Sequence, residues 1–114
     1  MYIGFWSPSC GPCLKEFPFA KQLHNDYQDE DIVFLYLASS CKEDSWKAKI
    51  SEKQLSGEHF LLSNDQFSLL SQRFDISGIP HYVLIDRKGN VISKNASRPS
   101  SNEIRMEIDK LFNY

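Results

Sequence analysis

Apolar residues recur along this 114-residue chain with periods that change from segment to segment. The run Tyr2-Ile3-Gly4-Phe5-Trp6, closed by Ser7-Pro8-Ser9, predicts a short strand. Phe17, Ala20, Leu23 and Tyr27 then fall at intervals of three and four, which predicts a helix from about Cys13 to Tyr27 with one apolar face. Pro18 cannot donate to the Leu14 carbonyl, but the apolar period continues past it, so a kink is expected rather than a stop. Ile32-Val33-Phe34-Leu35-Tyr36-Leu37 is apolar throughout and predicts a strand buried on both faces, as in a parallel sheet. Strand, helix and strand in that order form a right-handed βαβ unit.

Beyond this unit, Trp46 and Ile50 follow the capping candidates Asp44 and Ser45, predicting a helix to about Leu55 that Gly57 ends. His59 to Leu62 reads as a short strand. Asn64 or Asp65 would cap a third helix carrying Phe67, Leu70 and Phe74 on one face. Tyr82 to Asp86 and Val91 to Ser93 flank Arg87-Lys88-Gly89-Asn90 and predict an antiparallel hairpin. Ser100 and Glu103 have capping-box spacing ahead of a last helix with Ile104, Ile108, Leu111 and Phe112. No repeat, low-complexity run or linker divides the chain, so one α/β domain over residues 1–114 is expected.

With 41% hydrophobic and 13% aromatic residues, the chain can fill a core without disulfide staples. A net charge of −2 with no Lys/Arg cluster argues against a nucleic-acid or anionic-membrane partner. No apolar run approaches the length of a membrane span. The chain opens almost directly on its first strand and reads as a piece of a longer protein, so the lack of a targeting segment here says nothing about compartment.

The three cysteines sharpen the picture: Cys10, Cys13 and Cys41 are an odd number, so one thiol is left over from any internal pairing. Cys10-Gly11-Pro12-Cys13 stands between a strand and a helix, where a dithiol redox motif belongs. Free amides and the positive end of the helix dipole would stabilise a thiolate at Cys10, and Cys13 one turn on could close a disulfide. Pro12 suits an early helical position.

Phe5-Trp6-Ser7-Pro8-Ser9-Cys10-Gly11-Pro12-Cys13, then Lys15-Glu16-Phe17-Pro18, then Gly78-Ile79-Pro80 opening a hairpin strand, resembles the thioredoxin superfamily, and within it the TlpA/ResA-type thiol-disulfide oxidoreductases of bacteria. The resemblance runs nearly the whole chain and lacks the amino-terminal part of the usual domain. It implies a three-layer α/β/α sandwich with a central mixed sheet of four to five strands, a βαβ unit, an inserted helical segment at approximately 41–65, and a terminal ββα unit. It also implies that a Cys10/Cys13 dithiol exchanges two electrons with protein disulfides, with no metal or organic cofactor. Gly11-Pro12 between the cysteines favours the reducing direction.

For the remaining residues, a resemblance-based role stands beside a simpler one. The resemblance implies a cis Ile79–Pro80 bond facing the dithiol, with Pro80 shielding it and the Ile79 backbone docking an extended substrate; proline is equally at home at the first residue of an ordinary strand. Glu16, one turn beyond Cys13, is implied to exchange a proton with that thiol, or it is a solvated charge near a helix start. Trp6 either shields the dithiol or fills the core. His81 follows Pro80 where the family has threonine, and either tunes the site or is simply satisfied. Gly11 and Pro12 complete the substrate-facing loop. His24 and His59 read as structural, and Cys41 as a small buried hydrophobe or a third redox thiol. The strand position six before Cys10, acidic in many thioredoxins, is Gly4 here.

Two rivals remain: a non-catalytic thioredoxin-like binding module, and a metal site built from the cysteines and a histidine, for which a single Cys-x-x-Cys supplies too few ligand pairs. The family further implies the bacterial periplasm or cell envelope, a membrane thiol-disulfide protein as electron donor, and a monomer.

Overall fold

The computed structural model describes residues 1–112. Its five strands are β1 (Tyr2–Trp6), β2 (Phe34–Ala38), β3 (Glu58–Leu61), β4 (His81–Ile85) and β5 (Val91–Ser93), in the spatial order β3-β2-β1-β4-β5. β1 lies at the centre, parallel to β2 and antiparallel to β4. The residues following β1, those following β2 and those preceding β4 therefore meet at one end of the sheet. Trp6 is in register with Ala38, and Phe5 with His81.

Four helices complete the sandwich: α1 (Gly11–Asp26), α2 (Glu43–Lys53), α3 (Asn64–Phe74) and α4 (Glu103–Asp109), the last running into a 3-10 turn at Lys110–Phe112. Strand alternation sorts the core into two layers. Tyr2, Trp6, Phe34, Tyr36, Tyr82 and Leu84 face α1 and α4, with Trp46 and Ile50 of α2 packed against the same layer. Ile3, Phe5, Leu37 and Val83 face the opposite way, onto Phe67, Leu70 and Phe74 of α3.

Several element boundaries depart from the sequence expectation for local reasons. β2 begins at Phe34, leaving Ile32 and Val33 in the preceding loop. α1 starts at Gly11, two residues before Cys13, and continues through Pro18 without a stop, as the apolar period implied, with Pro18 on the exposed side. α2 starts at Glu43, so Asp44 and Ser45 lie inside its first turn instead of capping it, and the helix ends on Gln54 in the left-handed region. Gly57 does not end α2. Its φ of +105 serves the turn into β3, where an added Cβ would stand 2.9 Å from the Phe34 carbonyl oxygen. Ser63, not Asn64 or Asp65, caps α3 through a full capping box with Gln66. Ser100 forms no capping box with Glu103; Ser101 accepts the Glu103 amide at 3.2 Å, and Ser100 is drawn elsewhere. The hairpin turn closes on Asp86, which accepts the Lys88 and Asn90 amides at 2.9 Å each.

Candidate active site

At the meeting point of these loops, Cys10 caps α1. Its backbone is extended, its amide donates to the Ser7 carbonyl at 3.0 Å, and its Sγ accepts the Cys13 amide at 3.2 Å. Pro12 at the start of the helix has no amide to leave unpaired. Cys10 and Cys13 are joined by a disulfide, with Cα atoms 5.3 Å apart. Their exposures differ sharply: Cys10 is partly open, flanked by exposed Ser9, Gly11 and Pro12, whereas Cys13 is fully buried at 0%. Solvent reaches part of Cys10 and none of Cys13.

The Ile79–Pro80 peptide is cis and enters β4. Ile79 lines a cavity of about 270 Å³ with Ser39, Ser40, Phe67 and Gly78. A larger cavity of about 630 Å³ lies between the dithiol loop and α2, walled by Pro8, Ser9, Ser40, Cys41, Ser45 and Ala48. Ser40, held at a φ of 55, borders both. Cys41 is unbridged, and burial raises its thiol pKa, so it stays protonated where a nucleophile would need to ionise.

Glu16 is 7% exposed. Both of its carboxylate oxygens are engaged by one residue from the far end of the chain: the Ser100 amide donates to Oε1 at 2.9 Å and the Ser100 hydroxyl to Oε2 at 2.8 Å. The segment around Ser100 is strapped down at further points. The Ala96 amide donates to the Tyr82 carbonyl at 2.8 Å, and the Tyr2 hydroxyl to the Ser97 carbonyl at 2.6 Å. Tyr2 and Tyr82 stack 5.4 Å apart, and burial, with Glu16 nearby, keeps both phenols protonated.

Trp6 and His81 sit on opposite faces of the sheet. Trp6 is 2% exposed and packs edge-on against Phe17 at 4.9 Å, so it supports α1 from beneath. His81 shares its sheet face with Phe5, opposite the layer that holds Cys13, and its Nε2 pairs with the Lys94 carbonyl at 2.5 Å. It ties β4 to the segment after β5. His24 pairs with Ser56 at 2.8 Å, and His59 pairs with the Leu55 carbonyl at 2.9 Å and stacks on Tyr36.

A family model described as thioredoxin-like matches residues 1–91, most of the chain and all of the dithiol and cis-proline segments. The chain belongs to the thioredoxin-like family. Among thioredoxin-like relatives it is 22% identical to the thiol-disulfide oxidoreductase ResA of Bacillus cereus, over 97% of this chain and 62% of that protein. It thus spans less than two thirds of the curated relative's length. A solution structure of a candidate thiol-disulfide oxidoreductase from Bacteroides vulgatus superimposes with a TM-score of 0.85 at 32% identity, covering 98% of this chain and 72% of that one. The crystallised thioredoxin domain of another thiol-disulfide oxidoreductase from Bacteroides vulgatus gives 0.84 at 24% identity, covering 96% and 76%.

Within this thioredoxin-like framework, sequence reasoning missed Ser100 and the cavity walls. Ser100 lies 84 residues from Glu16 and carries the local spacing of a capping box, so its sequence signal pointed to a different use. Ser40 and Ala48 carry no chemical signature, and only the fold places them beside Ser9.

Proposed function

We propose that this chain is a thiol-disulfide exchange domain that passes two electrons to protein disulfides. The observation that carries the reading is the asymmetry of the dithiol: a partly open Cys10 whose sulfur receives the Cys13 amide at the start of a helix, above a fully buried Cys13. In the reduced state that amide and the helix terminus stabilise a Cys10 thiolate. The thiolate attacks a substrate sulfur, and a mixed disulfide forms as the substrate's own S–S bond breaks. Cys13 loses its proton to Glu16 and attacks Cys10. The second substrate sulfur leaves as a thiolate, and Cys10–Cys13 is oxidised. Lowering a thiol from about 8.5 to about 7 requires roughly 2 kcal/mol, within the reach of a helix end plus one amide.

The substrate lies extended over Gly11, Pro12 and Pro80 with its backbone against Ile79, and one flank reaches the cavity between Ser9 and α2. Trp6 and His81 act from behind, by holding α1 and β4. The flow is reducing, the donor is a membrane thiol-disulfide protein, and the domain works as a monomer in the bacterial periplasm or cell envelope; the likeness to ResA-type proteins supports these points. A binding module would not need the dithiol asymmetry. Among the described residues no group of three or more His, Cys, Asp and Glu side chains converges, so no observation favours a metal centre.

The test is Cys13→Ser. The variant is expected to retain disulfide-linked proteins on Cys10 that a further Cys10→Ser change releases, and the wild-type domain is expected to reduce insulin with dithiothreitol as donor. A wild-type domain with no dithiol-dependent turnover would exclude the proposal.

A further inference from the structure

Glu16 is a buried acid whose two carboxylate oxygens are both held by one residue, Ser100. We propose that Ser100 is the positioning residue of the exchange reaction, holding the Glu16 carboxylate for the Cys13 proton and linking that carboxylate to bulk water; this rests on the disulfide-exchange reading above. Two features of the contact support it. The Ser100 amide fixes Oε1 as an acceptor at 2.9 Å whatever the state of the other oxygen. The Ser100 hydroxyl at 2.8 Å from Oε2 can turn: it donates to a carboxylate and accepts from a carboxylic acid, so Glu16 is anchored in both protonation states.

The surroundings suit a relay. Glu16 is buried at 7%, whereas Ser100 is an exposed residue, so the hydroxyl joins a buried group to the surface. The strap that carries Ser100 is held by Tyr82, Tyr2 and Glu107, the last accepting the Ser97 amide at 3.3 Å, so loss of one hydroxyl leaves its path in place. The groups charged or titratable around Glu16 are the Tyr2 and Tyr82 phenols, which stay protonated, and Arg98 beside Tyr82. In the resolving step the Cys13 proton moves to Oε2, the Cys10–Cys13 bond forms as the Cys10–substrate bond breaks, and the proton leaves through the Ser100 hydroxyl to water.

The experiment compares wild type, Ser100→Ala and Ser100→Thr, with Glu16→Gln as background control. The release of thiol from a preformed Cys10 mixed disulfide with a small aromatic thiol is followed against pH. In parallel, the Glu16 carboxyl carbon is titrated by NMR, a readout that needs no turnover. S100A is expected to move the midpoint of both profiles upward by about one pH unit, a tenfold change; S100T is expected to return both to the wild-type position. In E16Q, adding S100A is expected to change the release rate less than twofold. Unmoved midpoints in S100A, or a shift that S100T does not reverse, would overturn the proposal. If the wild type releases no thiol while the carboxyl titration still follows Ser100, the exchange reading has failed and the pairing has not.

Discussion

The amide of Cys13 points at the sulfur of Cys10, 3.2 Å away, and it does so because Cys10 occupies the capping position of α1. A serine or aspartate usually fills that role, and a thiolate can fill it equally well once the disulfide is reduced. In the reduced protein, iodoacetamide at pH 7 is therefore expected to label Cys10 at least about tenfold faster than Cys41, with Cys13 slower still. Mass spectrometry of timed aliquots gives the order directly. Labelling of Cys41 first would contradict the assignment of the nucleophile.

The cavity between the dithiol loop and α2 predicts a split between large and small substrates. Ala48→Trp places an indole on an exposed wall of that 630 Å³ space without touching either sulfur. Reduction of a protein disulfide is expected to fall about tenfold, equivalent to about 1.4 kcal/mol of transition-state binding, while a small aromatic disulfide is reduced at the wild-type rate. Equal loss on both substrates would place the damage in the fold.

Two glycines with positive φ separate strain from crowding. Gly57 sits at +105 with the Phe34 carbonyl and the Tyr36 ring at 2.9 and 3.0 Å from an added Cβ, whereas Gly89 at +87 has open space around it. Gly89→Ala is expected to cost about 1 kcal/mol from backbone strain alone. Gly57→Ala adds a clash against main chain that cannot retreat, and about 3 kcal/mol is expected. Urea denaturation of the two variants measures the difference.

His59 gives the fold a pH dependence of definite sign. Burial holds its imidazole below the ordinary range, against weaker opposing contributions from the Leu55 and Ser56 backbone and from Glu58. The folded state thus binds fewer protons than the unfolded chain. The stabilisation is complete above the unfolded value of about 6.5 and is lost as pH falls through the folded value. The urea midpoint is expected to drop between pH 7.5 and 5.5, and His59→Phe, which keeps a ring on Tyr36, is expected to show a smaller drop.

What could be read from the sequence divides along the range of the interaction. The strands, the apolar face of α1 and the hairpin around Gly89 follow from period and turn chemistry within a few residues. So does the capping role of Cys10, because strand, Cys-x-x-Cys and helix are contiguous. Ser63 and Ser100 show where local reading fails. The Ser63–Gln66 capping box is itself a local three-residue spacing, overlooked beside the capping candidates Asn64 and Asp65, whereas Ser100, with the same spacing to Glu103, is taken by Glu16 from 84 positions away. His81 misled for a related reason. Its place beside Pro80 suggests the dithiol, but strand alternation turns it to the face of Phe5.

The bond between Glu16 and Ser100 also bears on how the protein is made. Its partners lie 84 positions apart, and the central strand next to the dithiol needs β4 as well as β2 on its flanks. During synthesis on the ribosome, the cysteine pair therefore emerges long before the residues that will enclose it. Until β4 and the Ser100 segment have been made, both sulfurs lack part of the packing that buries Cys13 in the folded domain.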